Sequence, residues 1–156
     1  MMRTSAERLA DRYLRRRTAA NEMQLLQGIS NQIQAIQQWG ATLAFQAQTM
    51  RALITAGEKR RLGRVSQIQI KNLKYDGQHV DGTMLGSQGN VYHTRITILP
   101  RRGHQCDCPD WKQRGRTVGP CKHVLRLGQE WLEAHVLPAL EGLEDRLIGV
   151  LEHTEL

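Results

Sequence analysis

The stretch Cys106–His123, CDCPDWKQRGRTVGPCKH, contains all three cysteines of the chain and ends on a histidine two residues after the last of them. Cys106 and Cys108 form a C-x-C pair, Cys121 and His123 a C-x-H pair, and twelve residues separate the two. Three thiolates and one imidazole are a complete tetrahedral donor set for zinc, which prefers sulfur and nitrogen. Four protein ligands leave no position for water or substrate, so the expected ion is structural rather than catalytic.

Three other readings of the same residues stand beside this one. A disulfide would leave one of three cysteines unpaired, and the first residues lack the apolar run of a secretory signal, which points to a reducing compartment. Three core cysteines with a chance histidine would be expected in apolar surroundings, whereas this segment is rich in Pro, Gly and charge. A reactive thiolate favoured by Lys122 beside Cys121 competes for a cysteine that the metal reading already uses. His104, two residues before Cys106, is a substitute ligand by spacing, but four better-placed groups precede it in rank.

The segment resembles a SWIM-type zinc finger. The residues that carry the likeness are Cys106-Asp-Cys-Pro-Asp-Trp111, Pro120-Cys-Lys-His123 and the earlier Gly86-Ser87, and it extends over roughly residues 78 to 136. The resemblance implies a β-hairpin before the first ligand pair, a helix running out of the second, and DNA or protein binding in place of catalysis. No helicase, transposase or nuclease motif accompanies it.

Charge is placed unevenly along the 156 residues. The formal net charge is +7, but residues 51–126 hold fifteen Lys or Arg against five acids, while residues 129–156 hold one Arg against seven acids. A basic body of this kind suits a polyanion, because neutralising phosphates releases counterions; a merely solvated basic surface is the plain alternative. Around the ligands, Arg101, Arg102, Lys112, Arg114, Arg116, Lys122 and Arg126 are the candidate phosphate contacts. Trp111 is expected to pack beside the metal in preference to stacking on a base.

Toward the N-terminus, Thr4 and Glu7 have capping-box spacing, and Ala6, Leu9 and Tyr13 fall on one helical face. Residues 23–50 carry no charge, and Leu26, Ile29, Ile33, Ile36, Gly40, Leu43, Ala47, Met50 and Ile54 alternate in steps of three and four. That is the seam of a coiled coil or of a helix packed lengthwise on another. Its partner is another copy of the protein or the chain's own C-terminal helix; self-association through residues 23–54 is favoured, because a helix of roughly 75 Å outruns any C-terminal one. Gly57 and the following basic run are expected to end the helix, with Lys59, Arg60 and Arg61 serving the helix end, phosphates, or both.

From Val65 the period becomes two, which predicts a three-stranded antiparallel meander over residues 65–99 with an Asp76-Gly77 turn. The zinc loop is expected over 104–123 and a helix from 121, interrupted at Pro138 before a second one buried through Leu140, Leu143, Leu147, Ile148 and Leu151. The fold class is therefore α+β: a helical arm at 1–57, a finger domain at 64–136 and an acidic helix at 137–156. No run of eighteen apolar residues spans a membrane, and the cytoplasm or nucleoid is the expected location. Functionally, the sequence is read as a non-enzymatic zinc protein that binds nucleic acid, DNA by preference, as an oligomer. The alternative is an adaptor or accessory subunit of a larger DNA-processing, mobile-element or phage-encoded complex.

Overall fold

The computed structural model describes residues 5–152, with the side chains of Ser5, Tyr13, Arg17, Gly115 and Arg116 excepted. Thr4, half of the expected capping box, lies outside the described residues. Helix α1 runs unbroken over Ser5–Thr55. The fold is α+β, and its contacts gather into two compact units: one takes α1 up to Gly40 together with the chain from Leu143, the other is Ala41–Gly142. The boundary thus falls inside α1. No described helix is long and apolar enough to cross a membrane.

In the first unit, α1 meets the C-terminal helix α5 (Leu137–Glu152) at Gly40, where a Cβ would lie 3.2 Å from Leu143 Cδ1. The small residue in the seam does admit a close partner, and that partner belongs to the same chain. Ile29, Ile33 and Ile36 are half-buried, whereas Leu26 remains 65 % exposed and Met23 72 %. The expected buried stripe of α5 is only half-buried at Leu140, Leu143 and Leu147, and Ile148 and Leu151 are exposed.

The second unit buries the other half of the seam. Leu43, Ala47 and Met50 are core residues, so this half of the seam is filled within the chain. Met50 and Leu53 pack at Gly128 of helix α4 (Lys122–Glu130), with Ile96 beside them. After α1, Gly57 serves packing more than capping. A Cβ there would stand 2.8 Å from Leu125 Cδ2 and 3.0 Å from the Ile54 carbonyl, and Gly57 has no positive φ. One short turn of helix, α2 (Lys59–Leu62), follows.

Four strands make an antiparallel meander in the order β1-β2-β3-β4: Gln69–Tyr75, His79–Leu85, Val91–Thr97 and Gly103–Cys106. The three-strand expectation missed β4, whose four residues pair Thr94 with Cys106 and Ile96 with His104. Being so short, β4 has no alternation to read. The chain at Val65 also differs from expectation: Val65–Gln67 is a 3₁₀ turn, and β1 begins at Gln69 with a register shift between Ile70 and Asn72. At the β1–β2 turn, Gly77 takes φ +93° and the Asp76 carboxylate accepts the N–H groups of Gln78 and His79 at 2.8 and 2.7 Å. Those bonds hold the carboxyl at about 2, below its usual range.

Alternation sends Val80, Met84, Thr94, Ile96 and Ile98 to the inner face of the sheet, where Val124, Leu125 and Leu127 of α4 join them in the core. Beyond α4 the helix does not break at Pro138. Residues Trp131–Val136 widen into a π-helical turn that passes directly into α5. Proline has no N–H to give the carbonyl four residues back, and a π turn is a common way for a helix to absorb such a misfit. The π turn buries Trp131, Leu132 and Val136.

A buried glutamine ties α1 to this turn. Trp131 Nε1–H donates to Gln46 Oε1 at 3.2 Å, Gln46 Nε2 donates to Tyr75 Oη at 3.0 Å, and the Tyr75 and Trp131 rings lie 4.9 Å apart. Replacing Gln46 by Ala orphans the buried indole N–H. The expected outcome is a loss of about 1–3 kcal/mol, read as a lower urea midpoint with an unchanged slope; an unchanged midpoint would show the network to be idle.

Candidate metal centre

Each ligand sits where an element ends. Cys106 closes β4, Cys108 is the N-cap of helix α3 (Pro109–Val118), Cys121 is the N-cap of α4, and His123 lies in the first turn of α4. Both N-cap cysteines have extended backbones, ψ 155° and 167°, as cap residues do. Proline at the first position of α3 and Asp110 in its first turn suit a helix start. The Trp111 N–H reaches the Cys108 sulfur at 3.3 Å, so this one sulfur caps a helix and faces the cluster.

All four side chains are buried, and their donor atoms lie within 4.8 Å of one another. Zinc bonds of roughly 2.0–2.3 Å place tetrahedral donors a little under 4 Å apart, so small side-chain adjustments suffice. The fit also follows from what these groups lack. Neither ring nitrogen of His123 has a hydrogen-bond partner although both are buried, and a buried imidazole without partners is costly unless a lone pair goes to a metal. The thiols crowd one another's protons: Cys108 is lowered because Cys106 and Cys121 donate to it, Cys106 is pushed up to about 11 by Cys108, and Cys121 is raised by Cys106 and Cys108. Three thiolates so close require a divalent cation to coexist. None of the cysteines forms a disulfide.

Around the donors, Thr94 Oγ1 lies 3.4 Å from the Cys106 sulfur, and the Tyr92 and His123 rings are 4.7 Å apart. A Cβ on Gly86 would meet Tyr92 at 3.3 Å and His123 Nε2 at 3.9 Å, which places the Gly86-Ser87 signature beside the histidine ligand. Asp107, between the first two cysteines, accepts the His93 N–H at 2.8 Å and so pins the linker to β3. His104 is no substitute ligand: its ring packs edge-on against Trp111 at 5.0 Å, and burial lowers its pKa.

Residues 101–127 match the SWIM zinc finger family. The matched span holds all four buried donors, and the Cys3His cluster supports one structural zinc ion. No curated protein and no solved structure matches the chain.

Within the SWIM finger, the segment read as a basic loop is instead largely the ten-residue helix α3. Its start signal was present in Pro109 and Asp110, but the cap is a cysteine, which the usual Ser/Thr/Asp/Asn search passes over. Gly119, at φ +94°, turns the chain from α3 into Cys121, a conformation that favours glycine.

The candidate cations part company. Arg114 folds onto Asp110 at 2.8 Å and lines a notch together with Lys122, Arg60, Arg61 and Arg64. Lys112 and Trp111 line another space, a groove of about 910 Å³ that also takes in Lys74, His93, Asp107 and the Arg95–Asp81 pair. Arg102 stands over the Phe45 ring at 4.6 Å, and Arg101 is exposed. Arg126 is engaged internally, by the Ile68 carbonyl at 3.3 Å and Glu130 at 2.9 Å. The Arg116 side chain lies outside the described residues. Sequence reading did not place Arg61 in the finger, yet it is buried and donates to the Gly119 and Pro120 carbonyls at 3.0 and 3.2 Å and to Asp110 at 3.0 Å.

Structural zinc contributes on the order of 10–16 kcal/mol near neutral pH, as much as a small domain's whole stability. Cys108→Ser and Cys121→Ser are therefore expected to purify with less than one zinc per chain and to lose amide protection over residues 103–126. Elemental analysis with hydrogen exchange reads both quantities; full zinc content with native protection would sink the assignment.

Proposed function

We propose that this chain is a non-catalytic nucleic-acid-binding protein, with DNA its preferred polymer, whose SWIM finger supplies the binding surface. The observation that carries the reading is the set of cations lining the two spaces that α3 borders: Arg60, Arg64, Arg114 and Lys122 in one, Lys74 and Lys112 in the other, where Arg95 is already paired with Asp81 at 2.6 Å. The backbone of Lys112 and Arg114 on α3 and of Lys122 at the start of α4 is fixed beside the metal ligands, so less conformational entropy is lost when these side chains meet phosphates. The groove beside Trp111 also carries Asn72, Gln105 and Gln113, amides suited to the edge of an unpaired base. A complete Cys3His donor set argues for a structural rather than catalytic ion. The cytoplasm or nucleoid is the compartment that fits reduced cysteines and such a partner.

Equilibrium binding of zinc-loaded protein to labelled duplex and single-stranded DNA, titrated with salt, tests this. The expected log–log plot falls with a slope of roughly −3 to −5, one unit or so per phosphate neutralised. No binding at low salt, or affinity indifferent to salt, would overturn the reading.

The exposed residues Leu9, Leu14, Met23, Leu25 and Leu26 on α1 support a second element of the proposal, association of copies through the N-terminal part of this helix. Several weak cationic surfaces would then act together. Should the apolar residues engage a different protein, the chain would serve as an adaptor or accessory subunit of a larger DNA-processing, mobile-element or phage-encoded complex. Light scattering on the purified protein is expected to give a molar mass that is a multiple of 17.8 kDa, falling to that value when Met23, Leu25 and Leu26 are all changed to Ser. A monomeric wild type would rule out self-association and leave the adaptor.

A further inference from the structure

One arginine is left half-satisfied inside the notch beside the finger. The Arg61 side chain is 6 % exposed, its two terminal nitrogens are bonded to Gly119, Pro120 and Asp110, and its Nε–H has no acceptor within hydrogen-bonding distance. Among the described residues its one partner is Glu58 Oε2, in a long ion pair at 3.7 Å, too far for a hydrogen bond. A buried guanidinium N–H left without a hydrogen-bond acceptor is costly. Such a group marks a place where an acceptor binds.

The surroundings specify that acceptor's charge. The notch, about 340 Å³, is lined by Arg60, Arg61, Arg64, Arg114 and Lys122. Its two acids do not cancel them. Asp110 is already occupied by Arg61 at 3.0 Å and by Arg114 at 2.8 Å, and Glu58 is half-exposed at the rim. Five cations against two carboxylates leave a surplus that a tetrahedral oxyanion offsets, and guanidinium groups match such oxyanions through paired N–H bonds.

We infer that this notch is a phosphodiester-binding site: Arg61 Nε–H donates to one phosphate oxygen of a nucleic-acid backbone, and Arg60, Arg64, Arg114 and Lys122 surround the rest. This rests on the nucleic-acid reading above and deepens it. It assigns the central contact to α2 and the turn after it, residues outside the SWIM match. A backbone phosphate fits better than a free anion because the notch does not stand alone. Lys122 and Asp110 also line an adjoining cleft of about 260 Å³ whose other residues include Ser87, Gln88 and Asn90. One polymer unit therefore continues from the cationic seat into a hydrogen-bonding cleft that borders Cys108 and His123.

Arg61 then has two roles on one side chain. Its terminal nitrogens fasten α2 to the turn that delivers Cys121, while its Nε faces the ligand.

The test uses zinc-loaded, full-length protein. Arg60→Gln with Arg64→Gln removes two exposed cations that hold no metal ligand. The double variant is expected to keep its zinc and circular dichroism, to bind labelled DNA about tenfold more weakly at 50 mM salt, and to lose roughly one unit of salt slope. Lys71→Gln, on the distant edge strand β1, is expected to change affinity less than twofold. Independently, the Arg61 Nε–Hε resonance in a nitrogen-15 spectrum should move when DNA is added. If wild-type protein binds DNA while the double variant binds equally well and the Arg61 resonance stays still, the notch assignment falls and the nucleic-acid function stands. Failure of the wild type to bind DNA removes both. A shift with inorganic phosphate or polyglutamate but not with DNA would assign the notch to another anion and overturn the proposal.

Discussion

Four side chains from three chain segments must come within a few ångströms of one another for the finger to exist, and this convergence governs much of the second unit. Cys106 brings the last strand of the meander, Cys108 the start of α3, and Cys121 and His123 the start of α4. None of these elements is long enough to be stable alone: β4 has four residues, α3 ten and α4 nine. The metal crosslinks them, and α4 then lays Val124, Leu125 and Leu127 onto the sheet. Cations on α3 have a fixed direction only because the helix begins at a ligand.

Helix α1 takes part in that core as well as reaching beyond it. From Leu43 to Met50 it supplies buried apolar side chains and, through Gln46, hydrogen bonds to both Tyr75 and Trp131. Toward its N-terminus it exposes Leu9, Leu14, Met23, Leu25 and Leu26. The change of role falls near Gly40, where Leu143 of α5 packs.

Local information was legible in the sequence and distant information was not. The metal site lies within eighteen residues and depends on spacing, so C-x-C and C-x-H were enough to name its ligands. The three longer strands announced themselves by alternation. Helix α3 was hidden because a cysteine does the capping, and β4 because four residues carry no period. The rhythm of three and four in α1 marks a packing seam, and the chain's own core fills it from Leu43 to Met50; an intramolecular core and an intermolecular coil impose the same rhythm, so periodicity does not name the partner. Arg61 is separated by 49 residues from Asp110, and nothing in a basic run at the end of a helix distinguishes a buried guanidinium from the solvated ones beside it.

The absence of charge from residues 23–50 has a consequence for how the two ends of the chain respond to their medium. Contacts made by Met23, Leu25 and Leu26 contain nothing for mobile ions to screen, and strongly hydrated salts such as sulfate strengthen them by being excluded from apolar surface. The cations around α3 behave in the opposite sense, since mobile ions screen exposed charge. A rise in ionic strength thus mutes the cationic surface while leaving the apolar one undiminished, and dilution does the reverse.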